Sequence, residues 1–359
     1  MAWVGLALLA SCGGVGCTET GGRGLPAEAM DGDSSDHGLD ALGSASDGAQ
    51  PADDGVPDAT GPPPDGGATP ALDGAVSTEA VTELDIVYLE VGTVRLAMDV
   101  RIPAGPGPFP MVVIVHGGAF FMGDKNGGNT RAWAEYLPTM GLASSTINYR
   151  LTGDFDGDDV FPGPLEDVKC ALRWLRTRAA HYRLDTDAFA ILGGSAGGYF
   201  ANAVSVSGGV ADFDGMCPDA TSGDSTVQAG VSFYGISDWV TLGMERGHSG
   251  PSSEARFVGA DCAEAPADDA CALASPVTYV DAADPPMFLL HSDDDPSIPV
   301  SQSHQLRDAL RAAGVPVEYV EVMGKGHGWA GRFRDPDVVA ARDQVVAWLR
   351  DQFARRDVP

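Results

Sequence analysis

An α/β fold, with a mostly parallel central sheet and helices on both of its faces, is what this 359-residue sequence predicts. Two observations carry the prediction. Between residues 79 and 353, short β-rich apolar runs alternate with amphipathic helical patterns, the order of βα units whose crossovers leave neighbouring strands parallel. Several of the runs are apolar without alternation, and a strand needs that only when both faces are covered.

Taken in order, the chain opens with MAWVGLALLASC, whose apolar stretch is too short to span a bilayer and has the size of a signal-peptide core. Leu9-Ala10-Ser11-Cys12 resembles the lipobox of bacterial lipoproteins. The resemblance implies a lipid on Cys12, export, and attachment to the cell envelope; Gly13 fits outer-membrane sorting. The absence of Lys or Arg before the apolar run departs from the usual signal. Residues 1–17 are therefore read as a targeting region, with a plain secretory signal as the alternative to the lipoprotein reading.

Residues 18–78 read as a disordered acidic spacer. Between residues 18 and 80 there are ten Asp and three Glu against one basic residue, Arg23, set among Gly, Pro, Ala and Ser, so little apolar surface is available to offset chain entropy. A flexible chain of that length reaches about 40 Å or more. The acidity continues through the chain, which carries a net charge of −29. With so few cations, no basic groove can neutralise phosphates, and nucleic acid is excluded as a partner.

The region 79–359 follows. Strands are predicted over 83–91, 94–102, 111–115, 142–149, 188–192, 227–234, 287–290 and 317–323. Helices are predicted where apolar residues fall on one stripe: Leu165, Val168, Leu172 and Leu175, then 301–313 and 337–353. An exported chain can form disulfides. Cys262 and Cys271 bracket a short loop and can close locally, which leaves Cys170 and Cys217 for each other; a zinc site fits poorly, since no two cysteines stand two to four residues apart.

Chemistry concentrates at three glycine-rich places. In AILGGSAGG, Ser195 follows a buried strand and precedes a small-residue helical pattern, 196–206, so Gly193-Gly194-Ser195-Ala196-Gly197 is a G-x-S-x-G turn in the strand-turn-helix setting that exposes a nucleophile. His116-Gly117-Gly118-Ala119 ends the 111–115 strand and resembles an HGGG-type oxyanion motif, which assigns the N–H groups of Gly118, Ala119 and Ala196 as donors and His116 to anchoring the loop. Ala119 stands where the motif often has a third glycine. A serine needs a histidine base oriented by a carboxylate. His37 falls in the spacer, His181 at a helix end, His248 in an Arg/Gly loop and His304 on a helix face, whereas His327 in GKGHGW follows the last strand. For the acid, HSDDDPSIPV resembles the pattern H-G-x-x-D-x-x-V-P, and that register selects Asp295; Asp293 and Asp294 remain open as the acid, their other reading being a solvated acidic turn.

HGGAF, the NYRL of Asn148 to Leu151, DVKCALRWLR, GGSAGG, SPVTYV, the Asp295 turn with Ser301-Gln302-Ser303, and GHGW stand in the order found in esterases of the α/β-hydrolase fold. They resemble most the branch grouping hormone-sensitive-lipase-like carboxylesterases with bacterial acetyl xylan and feruloyl esterases. The resemblance implies a Ser195-Asp295-His327 triad, no cofactor, and a small-molecule or polysaccharide-linked ester substrate. A peptidase of the prolyl-oligopeptidase type shares the late motifs but usually carries Tyr after the serine, where this chain has Ala196. A noncatalytic binding lipoprotein would be expected to lose a triad member. Asp154-Phe155-Asp156-Gly157-Asp158-Asp159 begins like a calcium loop but has Asp159 where that loop needs Gly, and Leu165 where it needs Glu. No metal is assigned.

Overall fold

The computed structural model describes residues 78–153, 160–220, 224–246 and 253–355. The targeting region with Cys12 and Cys17, nearly all of the spacer, His37, the calcium-like loop 154–159 and His248 lie outside the described residues.

Eight strands form one sheet: β1 (Val81–Val91), β2 (Val94–Ile102), β3 (Phe109–Val115), β4 (Ala143–Ile147), β5 (Leu184–Gly194), β6 (Ala229–Phe233), β7 (Met287–Ser292) and β8 (Val317–Val322). Their order is β1-β2-β4-β3-β5-β6-β7-β8. β2 is antiparallel to β1 and to β4; every other neighbouring pair is parallel. β8 is an edge strand, hydrogen-bonded to β7.

The continuous apolar runs have the cause expected of them. In β3, residues 111–115 are all buried, and they alternate between two cores. Met111, Val113 and Val115 face a layer made by α1 (Gly163–Thr177) and α2 (Ala196–Val206), whereas Val112 and Ile114 face Trp133 and the C-terminal helix α3 (Pro336–Arg355). A strand between two helical layers gains about 1.5 to 3 kcal/mol for each apolar side chain it buries, so apolar residues are favoured on both faces; β4 is an exception, burying Ser144, Ser145 and Thr146. A smaller core seats Leu306 and Leu310 of α4 (Ser301–Ala313) against Met287 and Leu289 of β7. The helix Gly128–Tyr136, which carries Trp133, was not among those predicted: GNTRAWAEY has weak apolar periodicity, and the tryptophan is the one large side chain it buries, beside Thr130 and Ala134.

The NYRL segment is explained by what it straps together. Asn148 Oδ1 accepts the Lys125 N–H and its amide donates to Asp124; Tyr149 stacks on His116 at 4.4 Å; the Arg150 guanidinium bonds the fully buried Asp167 of α1 at 2.6 and 2.8 Å. One tetrapeptide thus fixes the loop after β3 against the helical layer. Cys170 is joined to Cys217 and Cys262 to Cys271, the pairing expected from spacing.

Candidate active site

All three glycine-rich places lie at the carboxyl end of the parallel strands, where an α/β sheet opens to ligands. Ser195 sits between β5 and α2 with φ 59° and ψ −123°. That conformation costs a side-chain-bearing residue about 1 to 3 kcal/mol, so its surroundings must hold it. The Ser195 N–H donates to Phe233 O at 3.0 Å, tying the turn to β6, and Ser195 O accepts from the Tyr199 N–H to start α2. The flanking glycines answer to space: a Cβ on Gly193 would stand 2.2 Å from Gly197 O, and one on Gly197 would stand 2.1 Å from Val115 O. The turn is therefore pressed against both its own helix and the end of β3.

His327 Nε2 lies 2.9 Å from Ser195 Oγ, and His327 Nδ1 lies 2.7 Å from Asp295 Oδ2. A carboxylate only accepts, so Nδ1 carries the proton and Nε2 presents its lone pair to the serine hydroxyl. The Asp295 side chain is completely buried. Burial alone would raise its pKa, yet the ring N–H groups of His291 and His327, together with the Ile298 amide, hold it well below the usual carboxylate range. Its second oxygen accepts from the Ser297 and Ile298 amides at 2.8 and 3.0 Å. Asp295 is thus an anion at any neutral pH, aimed at one imidazole nitrogen.

The amide-bearing loop faces the same space. Gly118, Ala119 and Ala196 line a cavity of about 700 Å³ together with Ser195 and His327. Ala119 takes φ 49°, so it adopts the left-handed backbone that glycine takes freely, at a cost of about 1 to 2 kcal/mol. The alanine therefore does not prevent the turn. Ala196 is the first residue of α2, where the N–H has no intrahelical acceptor and the helix dipole is positive. His116 is buried and its Nδ1 lies 2.8 Å from Gly117 O; burial lowers its pKa, which suits a neutral loop anchor. At the cavity mouth, Phe121 and Met122 remain about half exposed.

The profile of the BD-FAE family matches residues 98–310. The chain belongs to the BD-FAE family. A probable carboxylic ester hydrolase of Mycobacterium tuberculosis, LipM, is 31% identical over 244 residues, which are 67% of this chain and 54% of that protein. The esterase LipQ of the same organism is 30% identical over 223 residues, 61% of this chain and 50% of its own. The chain thus spans about half the length of the curated relatives it matches. Among solved structures, a truncated carbohydrate esterase from gut microbiota superposes with a TM-score of 0.64 at 26% identity, covering 77% of this chain and 98% of that one. The fold is that of the α/β-hydrolase esterases.

Three contributions of this BD-FAE chain were not read from its sequence. Tyr234 follows β6 with φ 42°, its ring 4.7 Å from that of His327 and its hydroxyl accepting the Ala330 N–H at 3.2 Å, so it wedges between the serine turn and the histidine. His291 is buried between Ser303 Oγ at 2.7 Å and Ile298 O at 2.9 Å, pinning the turn that carries Asp295. Asp293 and Asp294 are exposed, as expected, but they are more than a solvated turn: Asp293 Oδ1 accepts the Gly324 N–H and Asp294 Oδ1 the Gly326 N–H. The Ser301-Gln302-Ser303 motif has a visible cause as well. Gln302 Oε1 accepts the Ser237 and Asp238 amides at 3.0 and 2.9 Å, binding α4 to the loop after β6.

Proposed function

We propose that this protein is a serine carboxylic ester hydrolase acting on esters carried by carbohydrate, acetyl or feruloyl groups among them. The observation that carries the reading is the unbroken line from buried carboxylate to imidazole to a serine hydroxyl on a strained turn, beside three backbone amides. Ser195 Oγ attacks the ester carbonyl while His327 Nε2 takes its proton. The carbonyl oxygen becomes an anion that the Gly118, Ala119 and Ala196 amides receive. The tetrahedral species collapses, the His327 proton passes to the departing alkoxide, and the acyl group remains on Ser195. Water, deprotonated by His327, then releases the acid.

The carbohydrate part of the reading is supported by the likeness to the gut carbohydrate esterase and by a cavity roomy enough for more than a small acyl group. A panel of p-nitrophenyl esters, acetylated xylan, methyl ferulate and aminoacyl p-nitroanilides tests it. Turnover of short-chain esters with release of acetate from xylan is expected. Cleavage of the anilides without ester turnover would overturn the reading in favour of a peptidase.

Residues 1–17 suggest where the work is done. We propose that Cys12 carries a lipid and holds the protein at the bacterial envelope. Cys12→Ser should move it from the membrane pellet to the soluble fraction with kcat/KM unchanged, and a variant that stays in the pellet would count against the anchor.

A further inference from the structure

The loop that delivers His327 has little packing of its own. Gly324 and Gly326 take φ 67° and 63°, and an added Cβ on either would meet nothing within 4 Å, so glycine is required there for backbone conformation and not for room. Alternating left-handed residues turn successive N–H groups toward one side, the arrangement that makes a concave anion site from backbone alone. Here that concavity is filled by the protein's own β7 turn. Asp293 Oδ1 accepts the Gly324 N–H at 2.7 Å, Ser292 Oγ accepts the Lys325 N–H at 2.9 Å, and Asp294 Oδ1 accepts the Gly326 N–H at 2.8 Å. Ser292 Oγ in turn donates to Asp294 Oδ1 at 2.7 Å. Three consecutive amides are captured by three consecutive side chains of another segment, and the residue after the third amide is His327.

Resting on the reading of Ser195, Asp295 and His327 as the triad, we propose that Ser292, Asp293 and Asp294 are positioning residues: a clasp that continues the β7–β8 pairing beyond the sheet and sets the imidazole on Ser195. The ladder ends at Ser292 opposite Val322, and the Asp293 N–H still donates to Val322 O at 3.2 Å. Beyond that point the strands have no further backbone partners to offer each other, and side-chain oxygens take over. The same turn supplies Asp295, so acid and base are measured off one rigid piece. On the far side Lys325 Nζ pairs with Asp335 and Asp337, each at 2.8 Å, closing the loop from outside.

The clasp works through hydrogen bonds, which separates it from a charge effect. In full-length enzyme, Asp293→Ala/Asp294→Ala should lower kcat about ten- to a hundredfold with KM within about twofold, because displacing a reacting group by about 1 Å is worth that much. Asp293→Asn/Asp294→Asn keeps carbonyl acceptors in place and should recover most of kcat. The downfield Nδ1–H proton resonance of His327 should broaden or vanish in the alanine pair and persist in the asparagine pair. If the double alanine variant fails to fold, Asp293→Ala alone should lower kcat about three- to tenfold with the same sparing of KM. Alanine variants that keep wild-type kcat and an unchanged resonance, or asparagine variants as impaired as alanine, would overturn the clasp. Ser195→Ala run beside them tells the two levels apart: if it stays active the triad reading fails, whereas if it is silent and the alanine pair is active the clasp alone fails.

Discussion

Ser195→Ala is expected to fold as the wild type does and to lose esterase turnover by a factor of about 10³ or more. Alanine keeps the Cβ in the same strained backbone and removes one hydroxyl, whose partner in the site is His327 Nε2. The bonds that hold the turn, from the Ser195 N–H to Phe233 O and from the Tyr199 N–H to Ser195 O, are made by backbone and survive the change. Residual rate above water should remain, since the cavity and its amides still bind and polarise the ester. Equal thermal transitions for the two proteins, with activity kept in the variant, would refute the role given to Ser195.

Asp295→Asn should cost about 10³- to 10⁴-fold in kcat. The amide is the same size and can still bond the Ser297 and Ile298 N–H groups, so the turn keeps its shape. What it lacks is the charge that steadies an imidazolium and demands a proton on Nδ1. A sign follows for stability. Because the Asp295 carboxyl is held below its ordinary pKa, the stabilisation it brings is fully present above about pH 4 and is lost as pH falls through the depressed value. The asparagine variant should lack this acid-limb dependence. A chemical denaturation series from pH 2 to pH 5 measures the difference, and a variant with wild-type kcat would move the acid elsewhere.

Ser195, His327 and Asp295 were legible because glycine or a short-range register marks them. Around Ser195, steric contact forbids Cβ atoms on both sides, so the requirement is written in residue type. Tyr234 was not legible. Nothing in a single sequence announces that a tyrosine after a strand will take a positive φ, since the strain is imposed by neighbours from β5 and from the His327 loop. Asp293 and Asp294 looked like a solvated turn for a related reason: their partners are backbone N–H groups 31 and 32 residues away, and every residue but proline has one. The alternation of two cores along β3 was legible in principle, because unbroken apolar runs have few other causes. The shorter helices were not, since five to nine residues are too few to declare an apolar stripe, even where an aspartate such as Asp238 or Asp268 caps the first turn.

β8 lies at the edge of the sheet, bonded on one side to β7, and most of its residues are only partly covered. Five residues past its last pairing stands His327. Edge strands open more readily than central ones, since they are paired on one side only, and here the bonds from Ser292, Asp293 and Asp294 to the loop beyond add to that single ladder. A transient opening of β8 would therefore carry His327 away from Ser195 while leaving the central strands β3, β5 and β6 paired. If His327 acts on Ser195 as proposed, activity would depend on that local opening and not on unfolding of the whole domain. Activity would then fall on warming before the core unfolds, a difference that parallel activity and circular-dichroism melts would read.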